Sequence, residues 1–311
     1  MNIEIKINTY NMAYQEIFKN IFVDISLLLR TNTDNTYSGK VNESGDKVKN
    51  IDLLCEKIFV DHLKHNKSNI IGYISEETKR LTLFKDYDVD TKKNTLIVAF
   101  DPLDGSSNFS SNINTGSIYG IYEYCKKRNK LLNIVHAGYC LYGIKSIMGY
   151  THKNELFLRD VFNNHNVPQK IHFNLIQEKK KIYSINQSYD YEPEIRFLIQ
   201  QYKKNDYSMR WIGTLVADAH RILLNDGIFY YPSTMKNPNG KIRTLYEAMP
   251  FAYIFEKAGG VGLNAGFRNI LNWVQEYDLN NPHSCCSIIL ASDEEYKNIL
   301  NHLEMYEEYK Y

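Results

Sequence analysis

Twelve residues, IVAFDPLDGSSN at positions 97–108, constrain this chain of 311 residues more than any other stretch. The apolar, β-prone run over 96–100 predicts a short buried strand. It stops abruptly at Asp101 and Asp104, where the strand leaves the sheet, and a Gly-Ser-Ser turn follows. Pro102 stiffens the bend and removes one backbone donor. Gly105 lets the backbone approach a ligand closely. Consecutive N–H groups in such a turn form an anion-binding nest. Two carboxylates beside a nest suggest a hard divalent cation bridging to a phosphate. A bare DPxDG has a competing reading, an acidic turn that caps a helix.

A second apolar run, 69–74, shifts the balance, because it ends in Ser75-Glu76-Glu77. Adjacent acids beyond a strand usually face water. Two strand ends side by side, however, would present four carboxylates to one crevice. Open α/β sheets bind ligands outside the carboxyl ends of their strands. Crowded carboxylates repel one another, so the arrangement makes best sense around metal ions.

On these residues the chain resembles the class I fructose-1,6-bisphosphatases, part of the magnesium-dependent, lithium-sensitive sugar and inositol phosphatases. Further stretches carry the resemblance: GDKVKNIDLL (45–54), TGSIYGIY (115–122), AGYCLYG (137–143), IYSINQSYD (182–190), RWIGTLVADAHRILLNDGIFYYP (210–232) and NPNGKIRTLYEAMPFAYIFEKAGG (237–260). Their order and spacing agree from about Asp46 to the C-terminus, and the first forty or so residues match weakly. The resemblance implies an α/β (α+β layered) fold of alternating helix and sheet layers in two sub-domains. The polar stretch 163–170, with Pro168, marks a boundary between 1–168, the metal-binding part, and 169–311, the substrate part.

Site roles follow from the resemblance position by position. The metal ligands would be Glu76, Asp101, Asp104 and Glu247, with the Leu103 carbonyl contributing and Asp46 nearby. Glu77 and Asp52 would activate the attacking water. The implied cofactor is two or three Mg²⁺ ions, with Mn²⁺ or Zn²⁺ as substitutes. Gly105, Ser106 and Ser107 would donate to the reacting phosphate, and Arg243 would add charge there. The distal phosphate would be held by Asn186, Tyr189, Arg210, Tyr231 and Lys241, with Trp211 beside them. Against this, Tyr occurs 25 times, and Arg210 and Lys241 also read as ordinary surface charges. In the family the equivalent of Arg210 reaches a neighbouring subunit's site, which implies a homo-oligomer, a dimer or tetramer.

The activity implied is phosphoric monoester hydrolysis, taking the 1-phosphate from fructose 1,6-bisphosphate to give fructose 6-phosphate. The nearest alternative is a sedoheptulose-1,7-bisphosphatase; Asn108 after DGSS leans toward the fructose enzyme. A non-catalytic sugar-phosphate-binding regulator would show loss of ligating carboxylates. Asp46, Asp52, Glu76, Glu77, Asp101, Asp104 and Glu247 are all present. Two departures stand out. Trp211 occupies a position that is usually Tyr, and an indole N–H donates but cannot accept. Members inhibited by AMP carry Lys-Tyr and Arg where this chain has Thr95-Leu96 and Glu123, and a Lys-Ala-Gly helix ending where it has Leu28-Leu29-Arg30. No AMP inhibition at that site is expected.

The remaining composition excludes more than it proposes. Lys plus Arg (37) balance Asp plus Glu (36), so nothing predicts a nucleic-acid or anionic-membrane partner. MNIEIKINTY has neither the apolar core of a secretory signal nor the arginines of a transit peptide, and cytosol is expected. Five scattered cysteines show no zinc spacing; reduced, mostly buried thiols are expected, with Cys285-Cys286 in a core strand. The connection 123–135 holds only Cys125, which argues against a thiol switch. His62 and His65 read as a solvated helix face and His220 as packing. No GxSxG, P-loop or Rossmann fingerprint is present. Apolar spacing predicts helices over 12–30 and 51–63, strands to about 150, then strands at 181–186, 227–231 and 287–290 alternating with helices at 216–225 and 250–258. Residues 31–44 read as a polar loop.

Overall fold

A computed structural model describes residues 2–34, 36–41, 47–65, 69–84, 95–165, 167–186 and 190–309. The chain begins with helix α1 (Asn2–Thr31), a hairpin of β1 (Tyr37–Val41) and β2 (Lys47–Lys49), and helix α2 (Asn50–His65). Strands follow: β3 (Ile70–Ser75), β4 (Thr82–Leu83), β5 (Thr95–Asp104), β6 (Thr115–Cys125), β7 (Lys130–Tyr142), β8 (Ser146–His152), β9 (Glu155–Asp160) and β10 (Gln169–Ile171). The second half contains β11 (Ile182–Ile185), α3 (Pro193–Lys204), β12 (Ser208–Met209), α4 (Leu215–Asn225), β13 (Ile228–Tyr231) and β14 (Ile242–Arg243). It ends with α5 (Met249–Lys257), β15 (Gly260–Leu263), β16 (Cys285–Cys286), β17 (Ile288–Ser292) and α6 (Asp293–Tyr309).

Among the described residues, eight strands form one sheet in the order β10-β9-β8-β7-β6-β5-β3-β4, and five form another in the order β12-β11-β13-β17-β15. The strands of the first are largely buried on both faces, so they read as near-continuous apolar runs rather than alternating ones. On one face lie α1 and α2, whose Phe18, Phe22 and Phe59 pack with Phe100 and Tyr119. On the other, α4 and α5 fill the space between the two sheets, where Val216, Phe251 and Phe255 join Tyr122, Tyr139 and Leu290 in one core. Beyond the second sheet, Leu198 of α3 and Ile299 of α6 close a third cluster. The result is five alternating layers: helix, sheet, helix, sheet, helix.

Several elements differ from the sequence reading for identifiable reasons. The central strand does not stop at Phe100 but runs to Asp104. Its register slips between Asp101, opposite Ile118, and Asp104, opposite Gly116, so one extra residue is accommodated as a bulge. Ser117 donates its hydroxyl to the Pro102 carbonyl there at 2.7 Å. Part of the polar stretch after α1 pairs as β1 with β2. Cys286 is buried, but Cys285 is half-buried: the pair forms the short strand β16 against β14, not a core strand. The predicted boundary stretch is followed by β10, which still belongs to the first sheet. Helix α5 stops at Ala258, and Gly259 with φ 79° turns the chain as expected.

Candidate active site

Strands β3 and β5 are the parallel neighbours of the first sheet, with Ser75 opposite Phe100. Their carboxyl ends therefore lie side by side, and the Glu76 N–H donates to the Phe100 carbonyl at 3.2 Å. This juxtaposition places Glu76 beside Asp101. The third acid, Glu247, comes from a buried π-helical turn, Thr244–Ala248, ahead of α5. Such wide turns are rare and re-aim side chains. Glu76, Asp101 and Glu247 each offer an oxygen within 4.8 Å of the others. Asp101 and Glu247 are 1% and 3% exposed.

Four more predicted residues line the same cavity, of about 850 Å³: Asp52, Glu77, Leu103 and Asp104. Asp52 sits in the first turn of α2 and accepts the Lys49 N–H at 2.9 Å. The Leu103 N–H donates to Asp101 Oδ1 at 2.9 Å. Asp104 Oδ2 accepts the Val216 N–H at 2.7 Å, at the first turn of α4. Asp104 thus also satisfies an orphan donor of a helix from the other half of the chain. Gly105 has φ 72°, and a Cβ there would overlap the Thr214 side chain. The close approach that demands glycine is therefore to the start of α4, and Ser106 and Ser107 follow in a 3₁₀ turn that lines the cavity.

The electrostatics of this cluster are adverse. Burial pushes Glu77 up to about 8, and Glu76 and Asp52 add to it. Burial likewise lifts Glu247 to about 8, Asp104 to about 7 and Asp52 to about 6. Asp101 rises well above the carboxylate range through burial and its neighbours Glu76 and Glu247. Against these stands Arg243, whose Nη2 lies 2.5 Å from Glu76 Oε1 and Nη1 3.7 Å from Glu247 Oε1. Burial works against its charge, but Glu247 and Glu76 outweigh that and keep it protonated. Glu247 also accepts the Arg243 N–H at 2.6 Å. Arg243 and Lys49 together cannot neutralise six acids, so a hard divalent cation with oxygen ligands fits the donor set.

The opposite wall of the cavity comes from the second sheet. Asn186, at the end of β11, donates to the Tyr231 hydroxyl at 3.0 Å. Trp211 lies parallel to Phe229 with ring centres 6.3 Å apart, and Lys241 joins them in the lining. Arg210 does not join. It lines a separate cavity with Lys180, Lys181 and Arg221, and its Nη1 donates to the Met209 carbonyl at 2.9 Å. Asp46 and Tyr189 lie outside the described residues.

Comparison with known proteins gives the chain its family. Residues 11–162 match the fructose-1-6-bisphosphatase N-terminal domain, and residues 176–304 match the C-terminal domain. The chain belongs to the fructose-1,6-bisphosphatase family. Fructose-1,6-bisphosphatase 1 of Bos taurus is 33% identical over 295 residues, covering 88% of this chain and 81% of the bovine protein. Fructose-1,6-bisphosphatase class 1 of Sulfurihydrogenibium sp. is 34% identical over 253 residues, covering 76% of this chain and 74% of that protein. The crystal structure of Leishmania major fructose-1,6-bisphosphatase in holo form superposes with a TM-score of 0.77 at 27% identity, covering 93% of each chain.

Within this family fold, the sequence reading missed three residues that line or brace the cavity. Lys49 is 6% exposed, and its ammonium donates to the Ser106 carbonyl at 2.7 Å, tying the start of α2 to the turn after Asp104. Its position three residues before Asp52 was visible, but nothing local distinguishes it from a surface lysine. Tyr246 is fully buried beside Glu247, and its phenol is pushed upward by burial and by Glu76. His283 contacts it from a segment with no motif at all.

Proposed function

We propose that this chain hydrolyses the 1-phosphate of fructose 1,6-bisphosphate, giving fructose 6-phosphate and inorganic phosphate, as a magnesium-dependent cytosolic enzyme. The observation that carries the reading is the acid cluster facing the Gly105–Ser107 turn across one cavity, with an aromatic and amide wall opposite. Glu76, Asp101, Asp104 and Glu247, with the Leu103 carbonyl, are the proposed ligands. Two or three Mg²⁺ ions there, replaceable by Mn²⁺ or Zn²⁺, supply charge neutralisation for the phosphoryl oxygens and the departing alkoxide.

The chain's own residues do the rest. Glu77 takes a proton from the attacking water, assisted by Asp52 and, from outside the described residues, Asp46. Glu77 is suited to this by position: it adjoins Glu76 and lines the same cavity as the other acids. The Gly105–Ser107 turn and Arg243 orient the reacting phosphate, and the start of α4 directs its positive end toward the same turn. Asn186, Tyr189, Trp211, Tyr231 and Lys241 hold the far end of the sugar bisphosphate. Arg210, turned away from this chain's own cavity, is assigned to the site of a neighbouring copy in a homo-oligomer. A division near residue 168 separates most of the metal-holding residues from those that hold the distal phosphate, with Glu247 reaching back from the second part.

Phosphate release with Mg²⁺ tests this directly, comparing fructose 1,6-bisphosphate with sedoheptulose 1,7-bisphosphate. Glu77→Gln is the control, since Asp104 also satisfies the first turn of α4. Preference for the fructose substrate, lost in the variant, supports the reading. Preference for the seven-carbon substrate keeps the chemistry and changes the sugar. No turnover of either leaves a sugar-phosphate-binding regulator.

A further inference from the structure

We propose that His283 is a positioning residue that sets the separation between the Glu76–Glu77 turn and Glu247. His283 lines the catalytic cavity just ahead of β16, the strand that pairs with β14 and Arg243. Its Nε2 lies 2.8 Å from the Thr78 carbonyl. A carbonyl only accepts, so Nε2 carries the hydrogen. In the neutral ring Nδ1 is then the acceptor, and the Tyr246 hydroxyl, 2.9 Å away, donates to it. The two rings meet edge to face, with centres 5.8 Å apart and planes at 68°.

Both partners lead straight to acids of the cluster. Thr78 closes the turn that carries Glu76 and Glu77. Its N–H donates to the Ser75 carbonyl at 3.1 Å, the Ser75 N–H donates to its hydroxyl oxygen at 2.9 Å, and the Glu77 N–H donates to Ser75 Oγ at 3.1 Å. That turn therefore moves as a unit. Tyr246 adjoins Glu247 on the buried π-helical turn. One imidazole thus spans the two elements whose acids must stand within ligating distance despite their mutual repulsion. Partners hydrogen-bonded directly to a metal ligand are typically worth about 10–100-fold in metal binding. His283 acts one bond further out, through Thr78 and Tyr246, so the low end of that range is expected.

The inference rests on the metal-phosphatase reading, and its test is chosen so that failure of the two is distinguishable. Mn²⁺ binding would be followed by electron paramagnetic resonance, without substrate, in the wild type, His283→Ala, His283→Gln and Tyr246→Phe. Sugar-bisphosphate turnover would be measured in parallel. His283→Ala is expected to weaken Mn²⁺ binding and lower kcat about 10-fold, with KM little changed. His283→Gln keeps a donor for the Thr78 carbonyl and should recover most of both. Tyr246→Phe removes one oxygen and should show a smaller loss; it carries the test if His283→Ala does not fold. Wild-type Mn²⁺ affinity in folded His283→Ala or Tyr246→Phe would overturn the proposal, as would a glutamine variant no better than alanine. A wild type that binds Mn²⁺ but turns over no sugar bisphosphate would sink the functional reading and leave the binding test intact.

Discussion

The two walls of the cavity are built on opposite principles. The acidic wall gathers Glu76, Glu77, Asp101 and Asp104 from the ends of β3 and β5, Asp52 from α2 and Glu247 from the turn ahead of α5 around Arg243 and Lys49. It is electrostatically frustrated: burial and mutual repulsion hold most of these acids above their ordinary range. The second-sheet wall has no acid and one cation, Lys241, among its named residues and is already bonded within itself, with Asn186 donating to Tyr231 and Trp211 parallel to Phe229. On the proposed function, the difference separates two tasks. Chemistry needs a site that is incomplete without its cations, so that bound charge is strongly held and strongly felt. Recognition of a distal phosphate needs preformed donors and a rigid wall.

The contrast is most severely tested at Glu77. Glu77→Gln should lower kcat about 10²–10⁴-fold, the usual worth of a positioned base, while KM stays close to wild type. A variant that instead raised KM with kcat intact would make Glu77 a binding group and blur the division between the walls.

A second, smaller effect should appear in stability. Glu77 and Glu247 have folded-state pKa values near 8, above the ordinary 4.5 of the unfolded chain. The folded state then holds more protons than the unfolded state between those values. The stability these groups contribute is complete below pH 4.5 and is lost as pH rises through about 8. Metal-free protein should therefore melt at progressively lower temperature across that range. Mg²⁺ at a hundredfold excess over its dissociation constant should restore about 2.7 kcal/mol, and at a fixed Mg²⁺ concentration the rescue should grow as pH rises. Buried histidines run the other way. Burial pulls His220 to about 4, so its contribution is present above the unfolded value of 6.5 and lost as pH falls toward 4. Differential scanning calorimetry with and without Mg²⁺ separates the two slopes. A melting temperature independent of pH and Mg²⁺ from pH 5 to 8 would remove the case for a frustrated wall.

The recognition wall should give milder effects. Trp211→Tyr keeps a donor and an aromatic face and shortens the wall. We expect KM for the sugar bisphosphate to change by about 2–10-fold with kcat nearly constant. A change in kcat as large as that at Glu77 would show that the two walls are not separable.

What the sequence revealed follows the same divide. The acids were legible because each sits in a local pattern: an apolar run ending in SEE or in DPLD marks a buried strand end. Their convergence with Glu247 was accessible only through family resemblance, because Glu76 and Glu247 are brought together by tertiary packing. The bulge at Pro102 was not readable, since the same residues also suit a strand that simply stops. Lys49 and His283 escaped because their roles are backbone contacts to Ser106 and Thr78, and no side-chain pattern encodes a carbonyl's position. Cys285 was misassigned because an apolar neighbourhood predicts burial, while the short β14–β16 pairing leaves its side chain at the cavity.

The smallest expected effect is no effect, and it concerns the other end of the same strand. Thr95 and Leu96 open β5, nine and eight residues before Asp104. Leu96 is buried and pairs with Glu123 on β6, and the Thr95 hydroxyl donates to the Tyr124 carbonyl at 2.7 Å. Glu123 accepts the Asn133 side-chain N–H at 3.0 Å. A nucleotide phosphate placed here would meet a carboxylate, an aliphatic side chain and a hydroxyl already directed to a carbonyl. Like charges at this range repel, and no donor at these three positions offsets that repulsion. AMP should therefore leave turnover unchanged, and the single substitution Glu123→Arg should not by itself create inhibition, because Leu96 and Thr95 still offer no second cation. Inhibition of the wild type by low-micromolar AMP would mean that a different set of residues binds it, and that the amino-terminal end of β5 communicates with the acids at its carboxyl end.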